Sequence, residues 1–139
     1  MPEMKGFDEI SAEDKERLTL TGINTENMEG RSGSFLLVND HVYHAGSAAE
    51  GIETLMIEQA LEKYEWLKDY FWNIVPADKD EYTKYVAERP QRGYVIIAHK
   101  GAKATFPLQS CMFLQGDTIQ AVHNIVIAEE GSEIHLIAG

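Results

Sequence analysis

The chain has 139 residues, 44% hydrophobic and 25% charged, which is typical of one globular domain or of one piece of a larger one. The formal net charge of −11 argues against a surface that neutralises nucleic-acid phosphates or docks on anionic lipid. Cys111 is the single cysteine, so no intrachain disulfide can form and a reducing compartment is expected. No signal-peptide pattern and no apolar run of the roughly 18 residues that a membrane span needs is present. We therefore expect a soluble cytoplasmic protein.

Two local signals predict structure in the first 50 residues. Ser11, followed three residues later by an acidic residue, is typical of a helix N-cap. Phe35–Val38 and His41–His44 are rich in β-forming residues, and the intervening Asn39 and Asp40 are residue types that tolerate positive φ. The pattern predicts a short helix followed by a β-hairpin.

The next segment has the strongest helical periodicity in the chain. Within "IETLMIEQALEKYEWLKDYFWNIV", residues 52–75, apolar side chains recur at spacings of three and four, which predicts a long amphipathic helix. A second, shorter helix is predicted with Asp78 as its cap, Glu81 completing a capping box and Pro90 ending it. The apolar positions of the first helix are Ile57, Ala60, Leu61, Tyr64, Leu67, Phe71 and Ile74.

From Gly93 onward the chain becomes a series of short β-rich segments, most of them separated at glycine. Strands recur about every ten to thirteen residues, with no helical segment between them. That spacing fits either a β-sandwich or successive rungs of a β-solenoid, and periodicity alone does not choose between them. The segments are "GYVIIAHKG", "AKATFPLQSCMFL", "QAVHNIVIAEEG" and "SEIHLIAG".

The five histidines do not form a recognisable metal-binding pattern. His41 and His44 lie three apart on a predicted strand, so their side chains point to opposite faces and cannot share an ion. His135 alternates with two apolar residues and is predicted to lie on the surface. His99 and His123 show no sign of a partner. We predict no metal ligand among them.

No motif specifies an active site. Cys111 lies between Ser110 and Met112 in an apolar segment and is expected to be a small buried hydrophobe. "GRSGS" lacks the ending of a phosphate loop, and neither GxSxG nor HExxH occurs. The acid-free stretch 89–116 carries four basic residues, which we interpret as the solvated rim of a sheet. The sequence predicts no catalytic and no cofactor-binding residue, and no enzyme activity.

Two stretches of the second half resemble a known family. "GYVIIAHKGAKATFPLQS" followed by "HNIVIAEEGSEIHLIAG" is similar to the SufB/SufD family of iron–sulfur cluster assembly proteins, and most similar to the compact SufB-like form of archaea and some bacteria. Upstream, "RSGSF" and "ALEKYEWLKDYFW" also resemble that subgroup, so the resemblance covers nearly the whole chain. The motifs that carry it are Lys100-Gly101, Pro107-Leu108-Gln109, and 127–132 leading to His135.

The resemblance implies an α+β fold that opens a longer protein. It implies an N-terminal helical and hairpin region over residues 1–92, followed over 93–139 by the first rungs of a right-handed parallel β-helix, truncated. In SufB proteins the motif that ends here at Gly139 commonly continues with a cysteine implicated in cluster assembly. We therefore expect an N-terminal fragment that lacks the cluster-building residues of the family. A truncated solenoid exposes strand edges and apolar side chains, so a homodimer or strand-swapped oligomer is expected.

The resemblance also implies a function. The chain would be a non-enzymatic scaffold component of the SUF system, without a cofactor of its own. The full-length protein would associate with a SufC-type ABC ATPase and a second SufB/SufD-type subunit, and the iron–sulfur cluster would belong to that complex. Two alternatives remain open: a self-contained small β-domain that binds a metal or metabolite through His123 or His135 and carboxylates, and a short paralogue that acts only in protein interactions. A SufB role and a SufD role, the cluster type and the involvement of a flavin also remain open.

Overall fold

The computed structural model describes residues 4–26 and 29–139. Its strands form two sheets, with the orders β2-β1-β5-β7 and β3-β4-β6, and neither sheet closes on itself. The fold is therefore α+β with mixed sheets, and no helix in the described ranges is long and apolar enough to cross a membrane. The strands are β1 Gly33–Val38, β2 His41–Ser47, β3 Ile52–Met56, β4 Tyr94–Ala98, β5 Leu108–Phe113, β6 Ile125–Ala128 and β7 Leu136–Ala138. The helices are α1 Ala12–Leu20, α2 Ile57–Lys63 and α3 Glu81–Ala87, with 3₁₀ turns at Phe7–Glu9 and Glu65–Asp69.

The predicted N-cap and hairpin are both confirmed. The Ser11 hydroxyl accepts a hydrogen bond from the Asp14 amide at 3.1 Å, which satisfies one free donor at the start of α1. Strands β1 and β2 pair antiparallel, with Val38 opposite His41. Asn39 turns the chain at φ 54, a conformation that asparagine adopts more readily than most residues.

Within each sheet, the two strands that follow Gly93 in the chain pair in parallel. Strand β6 pairs with β4, and β7 pairs with β5, each in parallel register. A parallel bridge joins the two connecting segments between these strands. The second pass of the chain thus follows the first at a nearly constant offset of 28 to 30 residues. The pairs are Val95 with Ile125, Lys103 with Glu133, and Leu108 with Leu136.

Strands from the two predicted regions share both sheets. Strand β1 pairs parallel with β5, while β3 pairs antiparallel with β4. The main core lies between the sheets, where the rings of Phe35 and Tyr94 are 5.2 Å apart. On the opposite face of β4, α2 covers Val95 and Ile97. Because both faces of β4 are covered, all five of its residues are buried, which explains its uninterrupted apolar sequence.

The prediction of a long helix over residues 52–75 is wrong. Residues Ile52–Met56 form β3, whose alternating burial follows a strand, and its backbone bonds to β4. Only Ile57–Lys63 is α-helical, and Tyr64 is extended at φ −122. The spacing of three and four holds inside α2, but sheet pairing on one side and a 3₁₀ turn on the other limit its length. Pairing with a distant strand overrides local helical periodicity.

The prediction of Asp78 as the cap of the second short helix is also wrong. The N-cap of α3 is Asp80, whose carboxylate accepts a hydrogen bond from the Thr83 amide at 2.9 Å. The Thr83 hydroxyl in turn accepts one from the Asp80 amide at 3.0 Å. Thr83 thus completes the capping box in place of the predicted Glu81, since a hydroxyl oxygen also accepts a hydrogen bond from an amide.

We expect Asp80→Ala to open α3 locally. Loss of the capping carboxylate leaves the Thr83 amide without its acceptor, so the first turn of the helix frays. Hydrogen exchange of the Lys84 amide, which bonds the Asp80 carbonyl at 3.1 Å, should accelerate several-fold. Asp78→Ala is the matched control and should leave that amide protected. Equal exchange in the two variants would contradict the capping assignment.

Candidate functional site: a carboxylate–imidazole cluster

Five polar side chains from four separate parts of the fold meet at one end of the three-stranded sheet, where β4 and β6 finish. We call Glu53, Lys63, Tyr64, His99 and Glu129 the carboxylate–imidazole cluster. One carboxylate comes from β3, the histidine follows β4, the second carboxylate follows β6, and the lysine and tyrosine end α2. The cluster therefore links every strand of this sheet to the helix that covers it.

Strand register places the histidine between the two carboxylates. Ala98 pairs with Ala128, so the next residues, His99 and Glu129, lie side by side as the parallel strands end. The backbone reinforces this arrangement, because the Glu129 amide donates to the Ala98 carbonyl at 2.9 Å. The His99 amide donates to the Gly51 carbonyl at 2.9 Å, which brings the start of β3 close to the imidazole.

Each imidazole nitrogen faces a different carboxylate. His99 Nε2 lies 2.6 Å from Glu53 Oε2, and His99 Nδ1 lies 2.9 Å from Glu129 Oε1. Glu53 has further partners, because the Lys63 ammonium donates to Oε1 and the Tyr64 hydroxyl donates to Oε2. The side chain of Glu53 is 20% exposed and that of Glu129 is 44% exposed. Glu53 is thus the anchored carboxylate of the cluster and Glu129 the outer one.

These contacts shift the ionisation of the cluster. Partial burial alone would raise the pKa of Glu53, but hydrogen bonds from Lys63, Tyr64 and His99 outweigh it and lower that pKa to about 2. The hydrogen bond with Glu53 is the largest effect on His99 and raises its pKa above the ordinary value of 6.5, although burial acts in the opposite direction. The Glu53 contribution to stability is present above its ordinary pKa of 4.5 and is lost as pH falls towards 2. The His99 contribution is present below 6.5 and is lost as pH rises through the higher folded-state pKa.

The cluster is arranged to hold a proton rather than a metal ion. Its two carboxylates lie at opposite nitrogens of one ring, so the oxygens and the imidazole do not converge on a common point. Within residues 4–26 and 29–139, no group of three or more histidine, cysteine, aspartate or glutamate side chains could hold a metal. The chemical capacity of the site is therefore a charged hydrogen-bonded bridge between strands.

A second feature is an apolar groove of about 270 Å³ beside α3, lined in part by Trp72, Tyr82 and His123. The Trp72 and His123 rings meet edge to face at 4.1 Å, and Trp72 adopts a positive φ of 54. Burial lowers the pKa of His123, and its Nδ1 is buried without a hydrogen-bond partner among residues 4–26 and 29–139. Aromatic packing rather than polar contact therefore holds this imidazole.

The other histidines lie apart from both features. His41 contacts the Asp40 carboxylate at 2.8 Å on the surface, while the His44 ring stacks on Phe7 at 4.3 Å. His135 is exposed, as predicted. The structure therefore does not bring these three side chains together at a common ion.

Cys111 is buried against α1, next to Leu18 and Leu36. Burial raises the pKa of its thiol, which keeps it protonated at neutral pH and unsuited to nucleophilic or metal-binding roles. The prediction of a small buried hydrophobe is confirmed.

The sequence showed no sign of a partner for His99 or His123, but the structure places both against other side chains. His99 makes two bonds to carboxylates and His123 packs against Phe71 and Trp72. A signal for the first was available, because "IIAHKG" and "VIAEEG" both end a strand and stand 30 residues apart. Aligning those strands in parallel would have placed His99 beside Glu129. The contact with Glu53 had no comparable signal, since it depends on where β3 pairs.

Comparison with known proteins gives matches along nearly the whole chain. It is 43% identical to an Archaeoglobus fulgidus protein over 96% of this chain and 37% of the relative, and 43% identical to a Methanothermobacter thermautotrophicus protein over 94% of this chain and 33% of the relative. A Pyrococcus horikoshii protein is 27% identical over 98% of this chain. All three are named as iron–sulfur cluster assembly SufBD family proteins. Along nearly its whole length, the chain is therefore similar to SufBD family proteins.

The resemblance noted from sequence motifs is therefore confirmed, although no family model matches the chain. The chain spans only about a third of the length of the SufBD relatives it matches. The carboxylate–imidazole cluster thus lies in a segment that corresponds to about a third of each longer relative.

Proposed function

We propose that this chain serves as a non-enzymatic part of an iron–sulfur cluster assembly scaffold. The support is its identity of 40 to 43% with relatives that are named as iron–sulfur cluster assembly SufBD family proteins. The chain corresponds to a fragment of the longer scaffold and lacks the residues that build the cluster. Its contribution in this proposal is structural.

The observation that carries this proposal is the parallel stacking of the second half of the chain. We propose that β4 to β7 are the first coils of a right-handed parallel β-helix. Three parallel pairings at an offset of 28 to 30 residues support it, because a solenoid repeats its strands at one period per coil. A sandwich built from hairpins would instead pair these successive strands antiparallel.

The first part of the chain would cap this stack. Strand β1 extends the sheet of β5, β3 extends the sheet of β4, and α2 covers the outer face. The parallel repeat ends here because β3 runs antiparallel to β4, and β2 runs antiparallel to β1 in the other sheet. The arrangement supports a closed end for the scaffold.

The opposite end of the stack is open. Strands β6 and β7 are the last strands of their sheets, and Val126 and Ile137 are 45% and 53% exposed. We propose that further coils cover this end in the longer protein. The full-length scaffold would also bind a SufC-type ATPase and a second SufB/SufD-type subunit. The iron–sulfur cluster would be carried by that complex.

A chimaera tests the proposed function. This chain replaces the matching third of the Archaeoglobus fulgidus relative, and the hybrid is expressed in cells depleted of their own SUF scaffold. We expect restored growth and restored activity of iron–sulfur enzymes. A chimaera that is folded and expressed at the level of the relative but fails to restore these activities would contradict the proposal. The relative without the exchanged segment is the negative control.

The open end makes a prediction for the isolated chain. We expect light scattering to show a dimer or larger swapped species at high concentration, because unpaired strand edges associate. Ile137→Lys on β7 should shift the species towards monomer. Ile74→Lys is the matched control, since Ile74 is 74% exposed but does not lie on a strand edge. A monodisperse monomer of the unchanged chain would contradict the expectation.

A further inference from the structure

We propose that His99 is a pH-dependent clamp that ties the turn Glu129–Ser132 to β3 when the imidazole is protonated and lets that turn loosen when the imidazole is neutral. The inference rests on the placement of one imidazole between carboxylates from two non-adjacent strands. It concerns the order of the open end of the stack, and it is independent of the role in cluster assembly.

The geometry requires a proton on each ring nitrogen. A neutral imidazole has one N–H donor and one lone pair, whereas the imidazolium has two donors. At 2.6 and 2.9 Å both nitrogens of His99 lie within hydrogen-bond distance of a carboxylate oxygen. In the neutral ring, a lone pair would face a negatively charged oxygen at one of these contacts. One of the two bridges must therefore open when the proton leaves.

The contacts around the two carboxylates decide which bridge opens. Glu53 keeps Lys63 and Tyr64 as donors after His99 loses its proton. The Glu129 carboxylate is more exposed and, among the described residues, His99 is the one side chain that donates to it. Neutral His99 therefore retains its bond to Glu53 and loses Glu129, which becomes hydrated at little cost.

The released carboxylate belongs to a turn that keeps three other hydrogen bonds to the described residues around it: the Glu129 amide donates to the Ala98 carbonyl at 2.9 Å, the Gly101 amide to the Glu130 carbonyl at 3.0 Å, and the Lys103 ammonium to the Gly131 carbonyl at 3.3 Å. The Ser132 hydroxyl and amide both bond the Glu129 carbonyl, at 2.7 and 3.1 Å, so the turn moves with Glu129. The Gly101 amide reports on the contact between this turn and the preceding one. Loss of the clamp therefore loosens the outer coil next to the open strand edges.

The two carboxylates that face His99 favour its protonated form, whereas partial burial of the ring and the positive charge of Lys63 oppose it. Glu53 on β3 and Glu129 after β6 favour the imidazolium, while Lys63 and Tyr64 at the end of α2 contact Glu53. The raised pKa of His99 agrees with this balance and places the release above the ordinary value of 6.5. The clamp is thus closed in mildly acidic conditions and opens towards alkaline pH.

The experiment follows the His99 ring and the turn together in the 139-residue chain. NMR titration of the His99 ring from mildly acidic to alkaline pH should give a midpoint above 6.5. Protection factors of the Gly101 and Ser132 amides, corrected for intrinsic exchange, should fall several-fold through the same midpoint. Glu129→Gln should lower that midpoint and make the protection factors independent of pH.

Two further variants keep the test decisive. Glu133→Gln removes a neighbouring carboxylate that pairs with Lys103 and should leave the His99 midpoint unchanged. His99→Gln cannot titrate, so its protection factors should not depend on pH even if the turn is looser throughout. If protection at Gly101 and Ser132 falls with pH in His99→Gln as in the unchanged chain, the clamp is wrong. An unchanged His99 midpoint in Glu129→Gln would also overturn it.

Discussion

Gly93→Ala is expected to destabilise the fold by about 3 kcal/mol or more, the range of a substitution that forces backbone atoms apart. A Cβ at this position would lie 1.9 Å from the His123 carbonyl oxygen and 2.5 Å from its carbon. Backbone atoms cannot rotate away as a flexible side chain can. The segment is also fastened, because the Tyr94 amide donates to Asn124 Oδ1 at 3.1 Å and the Ile57 amide donates to the Gly93 carbonyl at 2.9 Å.

Urea unfolding measures the loss of stability in Gly93→Ala, with Gly101→Ala as the control. Gly101 has a positive φ of 76, but no atom of the described part of the chain lies within 4 Å of an added Cβ. Gly101→Ala should therefore cost only about 1 kcal/mol from backbone strain. The excess loss in Gly93→Ala then reports the close approach of residue 123. Similar unfolding free energies for the two variants would show that the contact between these segments yields easily.

Phe35→Ala should cost about 3 to 5 kcal/mol, as is usual when a fully buried aromatic side chain is truncated. Phe35 is 1% exposed and lies in the core between the two sheets, with its ring 5.2 Å from that of Tyr94. Strand β1 carries Phe35 in one sheet and β4 carries Tyr94 in the other. Removing the ring therefore leaves a cavity at the contact that joins the sheets, and relaxation of one sheet would disturb the other.

Phe106→Ala is the matched control, because it deletes the same atoms from a side chain that is 52% exposed. We expect its unfolding free energy to stay within about 0.5 kcal/mol of the unchanged chain. Denaturation monitored by tryptophan fluorescence and by circular dichroism should agree for Phe35→Ala if both sheets unfold together. A loss of less than about 1 kcal/mol in Phe35→Ala would contradict the assignment of this core.

Local chemistry explains most of the elements that were predicted correctly. The hairpin around Asn39 and the N-cap at Ser11 depend on residues that contact their own neighbours in the chain. The strand series after Gly93 was also visible, since short apolar segments separated by glycine need no distant partner to be recognised. By contrast, β3 was mistaken for helix because its strand state depends on pairing with β4, about forty residues away.

The carboxylate–imidazole cluster was not predicted because no local pattern connects its members. Glu53, His99 and Glu129 are brought together by one antiparallel and one parallel pairing, each between distant segments. The residue types of these side chains also gave no hint, because carboxylates and histidines usually face solvent in a chain rich in charged residues. Only the register of the strands makes the two imidazole nitrogens face opposite carboxylates.

By itself, the sequence determined the composition class, the hairpin, the buried thiol and the relationship to the SufBD family, because each depends on neighbouring residues or on motifs. Tertiary structure alone decided the parallel stacking of β4 to β7, the length of α2 and the pairing of His99 with two carboxylates. The physical reason is that sheet hydrogen bonds join residues far apart in the chain. Their register is set by packing of the whole core rather than by any short segment.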